Sequence, residues 1–215
     1  GGRGMGGMMA GAGGLLRLAQ NAQVQKELEV VDDQKTKLAD LATQQQTAMQ
    51  DLMNLSQEER ASKMQAMQDD LLKKLGEILL PKQLERLKQI QLQVQGPDAL
   101  SSDEVVKALN ITDDQKTKMK TISDDAATKR QEVFSDTNLS GQERMTKMQE
   151  LNKDLLDKLL AVLTPEQTAQ FDKMKGPKLD IDPATLMRGG GRGGRGGRGG
   201  RGGAGGGGAP GGAGG

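Results

Sequence analysis

Residues 64–78 read MQAMQDDLLKKLGEI, and residues 148–162 read MQELNKDLLDKLLAV. In the first stretch Met64, Met67, Leu71, Leu75 and Ile78 are separated by steps of 3, 4, 4 and 3; in the second, Met148, Leu151, Leu155, Leu159 and Val162 repeat those steps. Such spacing places five apolar side chains along one face of an α-helix. Its recurrence in one chain predicts an internal duplication.

The preceding segments agree. VDDQKTKLADL (31–41) aligns with TDDQKTKMKTI (112–122) at an offset of 81, and LSQEERASKMQ (55–65) aligns with LSGQERMTKMQ (139–149) at an offset of 84, three extra residues lying near 135–138. Leu38, Leu41, Leu52 and Met53 are answered by Met119, Ile122, Val133 and Phe134. The predicted fold class is all-α: two tandem four-helix units, 15–99 and 100–188, each built around a long antiparallel helical hairpin. QIQLQVQG (89–96) alternates like a strand at Ile90, Leu92 and Val94, but Pro81 and Gln83 open it as Pro165 and Gln167 open its counterpart, so it is read as helix.

Composition fits this reading. Of 31 glycines, eight precede Leu15 and nineteen follow Arg188, so residues 1–14 and 189–215 are expected to be disordered low-complexity segments. Between them Leu, Met, Gln, Lys, Asp, Glu and Ala dominate, a mixture favouring helices over strands, while Phe134 and Phe171 are the only aromatics. All 29 acids and 24 of the 30 bases lie between Leu15 and Met187, giving that stretch a net −5 and the ends +6, all of it Arg. The longest apolar run, Leu159 to Leu163, is too short to span a bilayer.

Helix starts are legible as capping boxes, in which a Ser or Thr oxygen accepts from the N3 amide and the N3 side chain reaches back. Thr112 with Gln115, Ser140 with Glu143, and Thr164 with Gln167 fit the pattern, Pro165 occupying the first helical turn; Leu100-Ser101 with Glu104 opens a shorter helix. These residues are expected to set helix entry angles. In the first copy Val31 and Leu80 stand where the Thr hydroxyls would be, each loss costing about 0.5–2 kcal/mol, so the first copy is expected to be the looser one.

LTPEQ (163–167), ITDDQK (111–116) and the amphipathic hairpin between them resemble the LTxxQ family of periplasmic proteins, the Spy- and CpxP-like proteins. Each copy, roughly 24–96 and 100–178, is similar to one family unit. The resemblance implies an α-helical cradle of two hairpin units, export to the periplasm, and either ATP-independent binding of unfolded or partly folded client proteins or envelope-stress sensing. A chain starting at Gly1 fits a mature form whose signal peptide has been removed. The duplication lets two units, separate chains in the family, pair as an intrachain pseudo-dimer, with a homodimer as the alternative. Zinc binding, seen in some relatives, lacks its imidazole ligands here.

With no His and no Cys the chain cannot assemble Cys-His or Ser-His-Asp nucleophiles or thiolate or imidazole metal sites. Adjacent carboxylates such as Asp113-Asp114 point about 100° apart on a helix and do not converge on one ion. No enzyme activity, catalytic residue, metal or cofactor is expected. The client-binding candidates are instead the apolar stripes: Leu38, Leu41, Met49, Met53, Met64, Met67 and Leu71 in the first copy; Met119, Ile122, Phe134, Met145, Met148, Leu151 and Leu155 in the second. For the methionines two readings stand: filler of a core poor in aromatics, or an outward, compliant apolar surface. Lys35, Lys37, Lys116, Lys118, Lys129 and Arg130 add candidate attraction for acidic clients.

A rival signal lies in RGGGRGGRGGRGG and the following arginine, where Arg188, Arg192, Arg195, Arg198 and Arg201 form a basic Gly-rich tail. Spaced arginines bind RNA or DNA through salt-sensitive charge contacts, although no Phe or Tyr interleaves to stack on bases. The alternatives are a nucleic-acid-associated scaffold and a tether to an anionic surface.

Overall fold

The computed structural model describes residues 11–181. Its described residues are all-α, as expected, with nine α-helices, one 3-10 helix and no strand. Residues 182–188 of the expected second unit and the tail arginines Arg188, Arg192, Arg195, Arg198 and Arg201 lie outside them.

In chain order the helices are α1 (Gly11–Ala19), α2 (Ala22–Glu27), α3 (Asp32–Met53), α4 (Gln57–Ile78), α5 (Pro81–Gln95), a 3-10 turn (Gly96–Ser101), α6 (Asp103–Ala108), α7 (Asp113–Ser135), α8 (Gly141–Leu160) and α9 (Pro165–Lys175). α3 packs on α4 and α7 on α8, each pair joined by a short turn. At about 1.5 Å per residue each arm of these hairpins is roughly 30 Å long. Short helices α2 and α6 end alike, with Glu29 and Asn110 in the left-handed region at φ 52° and 50°, and with the Val30 and Ile111 amides donating to Gln25 O and Val106 O. These are Schellman-type stops at equivalent positions, 81 residues apart.

Two boundaries differ from expectation. Residues 11–14, expected to be disordered, are helical: α1 starts at Gly11 and buries Ala12, Gly14, Leu15, Leu16, Leu18 and Ala19 against α4 and α5, while residues 1–10 lie outside the described residues. Its apolar Leu side chains offset the cost of ordering three glycines, and Gln68 Oε1 accepts from the Ala12 amide at 2.9 Å. The cap of α6 is Ser102 rather than Ser101, its hydroxyl accepting from the Val105 amide.

The apolar side chains form two cores. One gathers α1 to α5 around Leu18, Leu38, Leu71, Leu75, Leu87 and Ile90; the other gathers the 3-10 turn and α6 to α9 around Leu100, Val105, Leu155, Leu159 and Phe171. The 99/100 boundary is not a clean one, because α5 serves both. Ile90 and Val94 pack in the first core and Leu92 in the second. Positions two apart on a helix point about 200° apart, so the alternation of QIQLQVQ records a helix buried on two sides. Leu179, beyond α9, returns to the first core, and Gln93 holds that return by donating to Lys175 O and Pro177 O and accepting from the Leu179 amide at 2.8 Å. Gly176 makes the turn at φ 62°, where a Cβ would run into the Gln89 side chain.

Candidate functional site

The hairpins extend beyond their cores. On α3 the first core reaches Ala42 and on α4 it starts at Leu71; on α7 the second core reaches Ala126 and on α8 it starts at Leu155. Outward of those positions each hairpin is a two-helix arm whose inner seam alone is covered. Leu52 is buried in that seam, but Met49, Met53 and Met64 on the first arm are 48%, 79% and 37% exposed, and Phe134 and Met145 on the second are 59% and 65% exposed.

The arms are held in shape by their turns. Arg60 donates from Nε to Leu52 O at 3.1 Å and from Nη2 to Leu55 O at 3.1 Å, tying the start of α4 to the end of α3 and to the turn between them. Arg144, its counterpart in SGQER, donates to Asp136 O and Leu139 O. Capping boxes then start the returning helices. Ser56 Oγ accepts from the Glu59 amide while Glu59 accepts from the Ser56 amide, and Ser140 with Glu143 repeats the arrangement. The Ser56 hydroxyl, then the Ser56 N–H, holds the Glu59 carboxyl below its ordinary 4.5; Ser140 does the same to Glu143.

A depressed folded-state value contributes stability that is present above the unfolded value and lost as pH falls through the folded one. The arms are therefore expected to weaken below about pH 4.5. Urea midpoints measured from neutrality into acid should fall over that range, and the fall should shrink in a Ser56→Ala, Ser140→Ala variant. An unchanged acid slope in the variant would assign the loss to other carboxylates.

The structure divides the candidate client surface. Leu38, Leu41, Leu71, Met119 and Leu155 are buried and belong to the cores, which corrects their assignment as contact residues: α1 covers the lower half of the first hairpin, and the 3-10 turn packs on α8 in the second. Met67, Ile122, Met148 and Leu151 are half-buried along the seams. Met49, Met53, Met64, Phe134 and Met145 remain as surface. Ile122 and Leu151 line a shallow groove between α7 and α8 that also takes in Asp125, Lys129, Asp154 and Lys158. Several of the candidate steering cations are locally paired: Lys35 with Asp32, Lys37 with Asp33 and Lys116 with Asp113. Arg130 donates to Asn152 Oδ1.

The remaining caps do more than start helices. Thr112 Oγ1 accepts from the Gln115 amide at 3.2 Å and Thr164 Oγ1 from the Gln167 amide at 3.3 Å, as boxes require. The two glutamines then meet. Gln115 Nε2 donates to Gln167 Oε1 at 2.7 Å and Gln167 Nε2 to Gln115 Oε1 at 3.1 Å, while Gln115 also donates to Val162 O and Gln167 to Leu109 O. Gln34 and Gln83 form the same amide pair at 2.8 and 3.2 Å, with further bonds to Ile78 O and Leu28 O. Each pair clasps the bases of one hairpin and ties its helices to the short helix before it. Reading these residues as caps alone misses the clasp. The available signal is that VVDDQ and LLPKQ lose the capping hydroxyl and keep the Gln.

Among the described residues no three Asp or Glu side chains gather as a metal-ligand set, and no helix is long and apolar enough to cross a membrane. The arrangement offers apolar contact on two helical arms. Compared with known proteins, the chain matches no family model, no curated protein and no solved structure.

Proposed function

We propose that this protein is an ATP-independent holdase of the LTxxQ, Spy- and CpxP-like type, binding unfolded or partly folded clients on the outer halves of its two hairpins. One observation carries the reading. The large apolar side chains of the arms' outer halves, Met49, Met53, Met64, Phe134 and Met145, face solvent on helices whose turns are locked by Arg60 and Arg144 and by serine capping boxes. Methionine is well suited to such a surface, because its unbranched thioether adapts to irregular partners. The surrounding acids and bases keep the arms soluble while unoccupied. Residence in the periplasm follows from the family resemblance and is checked by a cleavable leader in the reading frame upstream of Gly1.

The test is light scattering from a chemically denatured enzyme diluted into buffer without nucleotide. Increasing amounts of the purified protein are expected to suppress aggregation, reaching completion near stoichiometry. No suppression at several-fold molar excess would remove the proposal. Deleting residues 188–215 should leave suppression intact; its loss, with RNA retardation that depends on the same residues, would move the function to the Arg-Gly tail.

A further inference from the structure

The exposed apolar side chains of the two arms differ in their chemistry toward oxidants. On the first arm they are Met49, Met53 and Met64, all thioethers; on the second they are Met145 and Phe134, and Phe134 stands where the first copy has Met53. The chain contains no Cys, His, Trp or Tyr, so thioethers are its only side chains readily oxidised by two electrons. Met119, by contrast, is buried in the second core.

The geometry points to Met49, Met53, Met64 and Met145 as oxidation sites for hydrogen peroxide, whose conversion to sulfoxide switches off the apolar surface of the first arm while Phe134 keeps part of the second in service. In each event the sulfur lone pair attacks one peroxide oxygen, and the S–O bond forms as the O–O bond breaks. Sulfur loses two electrons; the departing oxygen takes them with a proton and leaves as water. The product carries a strong S–O dipole where an apolar atom stood, so burying it against a client now costs desolvation. The positions lie outside both cores, so the fold is not disturbed. The inference deepens the client-binding reading and rests on it for its biological meaning, but its chemistry is read separately.

The experiment treats the full chain with graded hydrogen peroxide and follows three signals: site-resolved mass spectrometry, helical circular dichroism, and fluorescence of a hydrophobic dye alongside client aggregation. Expected are early oxidation of Met49, Met53, Met64 and Met145, late oxidation of Met119, unchanged helicity, and a several-fold loss of dye binding and of aggregation suppression. In a Met49→Leu, Met53→Leu, Met64→Leu, Met145→Leu variant, whatever dye binding and protection the untreated variant shows is expected to change little in peroxide when each signal is normalised to that untreated variant, although every other methionine remains oxidisable. Adding Phe134→Gln to the wild-type background should abolish what survives oxidation. Retention of dye binding after the four sites are oxidised, loss in the leucine variant equal to that of the wild type, or helix loss in step with oxidation would each overturn the inference. If the unoxidised protein fails to protect any client yet its dye signal falls as described, the holdase reading fails and the oxidation-gated surface stands.

Discussion

Gln83→Ala is expected to destabilise the protein by about 3 kcal/mol, more than the loss of any helix cap in the chain. Gln83 is buried, and its amide serves four groups at once: the Leu80 N–H, the Leu28 and Glu29 carbonyls, and the Gln34 side chain. Truncation leaves the Leu28 carbonyl without its partner, at roughly 1–3 kcal/mol for a buried orphan, and takes one donated and one accepted bond from Gln34, which keeps only Ile78 O and the Val31 N–H, in a place water reaches poorly. The matching Gln167→Ala should cost about 1 kcal/mol, because Gln115 and Gln167 are half-buried and water can replace the lost bonds. Urea unfolding of the two variants checks the order. Because Gln34 and Gln83 share their bonds, Gln34→Ala combined with Gln83→Ala should cost clearly less than the two single changes added together. Equal losses in the two copies, or an additive double variant, would show that the pairs are incidental to the hairpin bases.

That ranking departs from the expectation raised by the sequence, in which the first copy is the looser because Val31 and Leu80 supply no capping oxygen. The hydroxyls are indeed missing, and both residues are exposed. The glutamines they flank are nevertheless the more deeply buried pair. Periodicity and capping chemistry are local, so the long helices, their starts at Asp113, Gly141 and Pro165, and the hairpin turns are legible from neighbours in the chain. The amide clasp joins residues 49 and 52 apart, and spacing along the chain does not show it. The same limit applies to the apolar stripes. A 3-4-4-3 pattern says which side chains share a face; it does not say where along that face a third layer of helices stops. Leu71 and Met64 belong to one stripe, yet α1 ends the solvent's access to the first and not to the second. α1 itself is hidden in a run of glycines, with Leu15, Leu16 and Leu18 as its only signal.

The distinction between lower and outer stripe leads to the second large effect. Replacing Met49, Met53, Met64, Phe134 and Met145 together by Gln is expected to raise the amount of protein needed to suppress aggregation by about tenfold or more, with the unfolding midpoint little changed. Gln nearly equals Met in helix propensity, and surface changes away from caps and cores usually stay within about 0.5 kcal/mol each. What the variant lacks is apolar area to share with a client. Covering one such side chain fully is worth about 1.5–3 kcal/mol. Each starts partly covered and a client meets only some of them at a time, yet forgoing the burial of even one corresponds to about a tenfold weakening. Substitution lower on the same stripe should act in the opposite way. Leu38→Ala or Leu155→Ala removes a buried side chain and is expected to cost about 2–5 kcal/mol of stability while, below its lowered unfolding midpoint, the variant still protects clients. Paired measurement of thermal unfolding and light scattering separates the two. Should the five-fold Gln variant protect as well as the parent, the outer arms would not be the binding surface, whereas loss of protection by Leu38→Ala while it remains folded would place recognition at the covered bases of the hairpins.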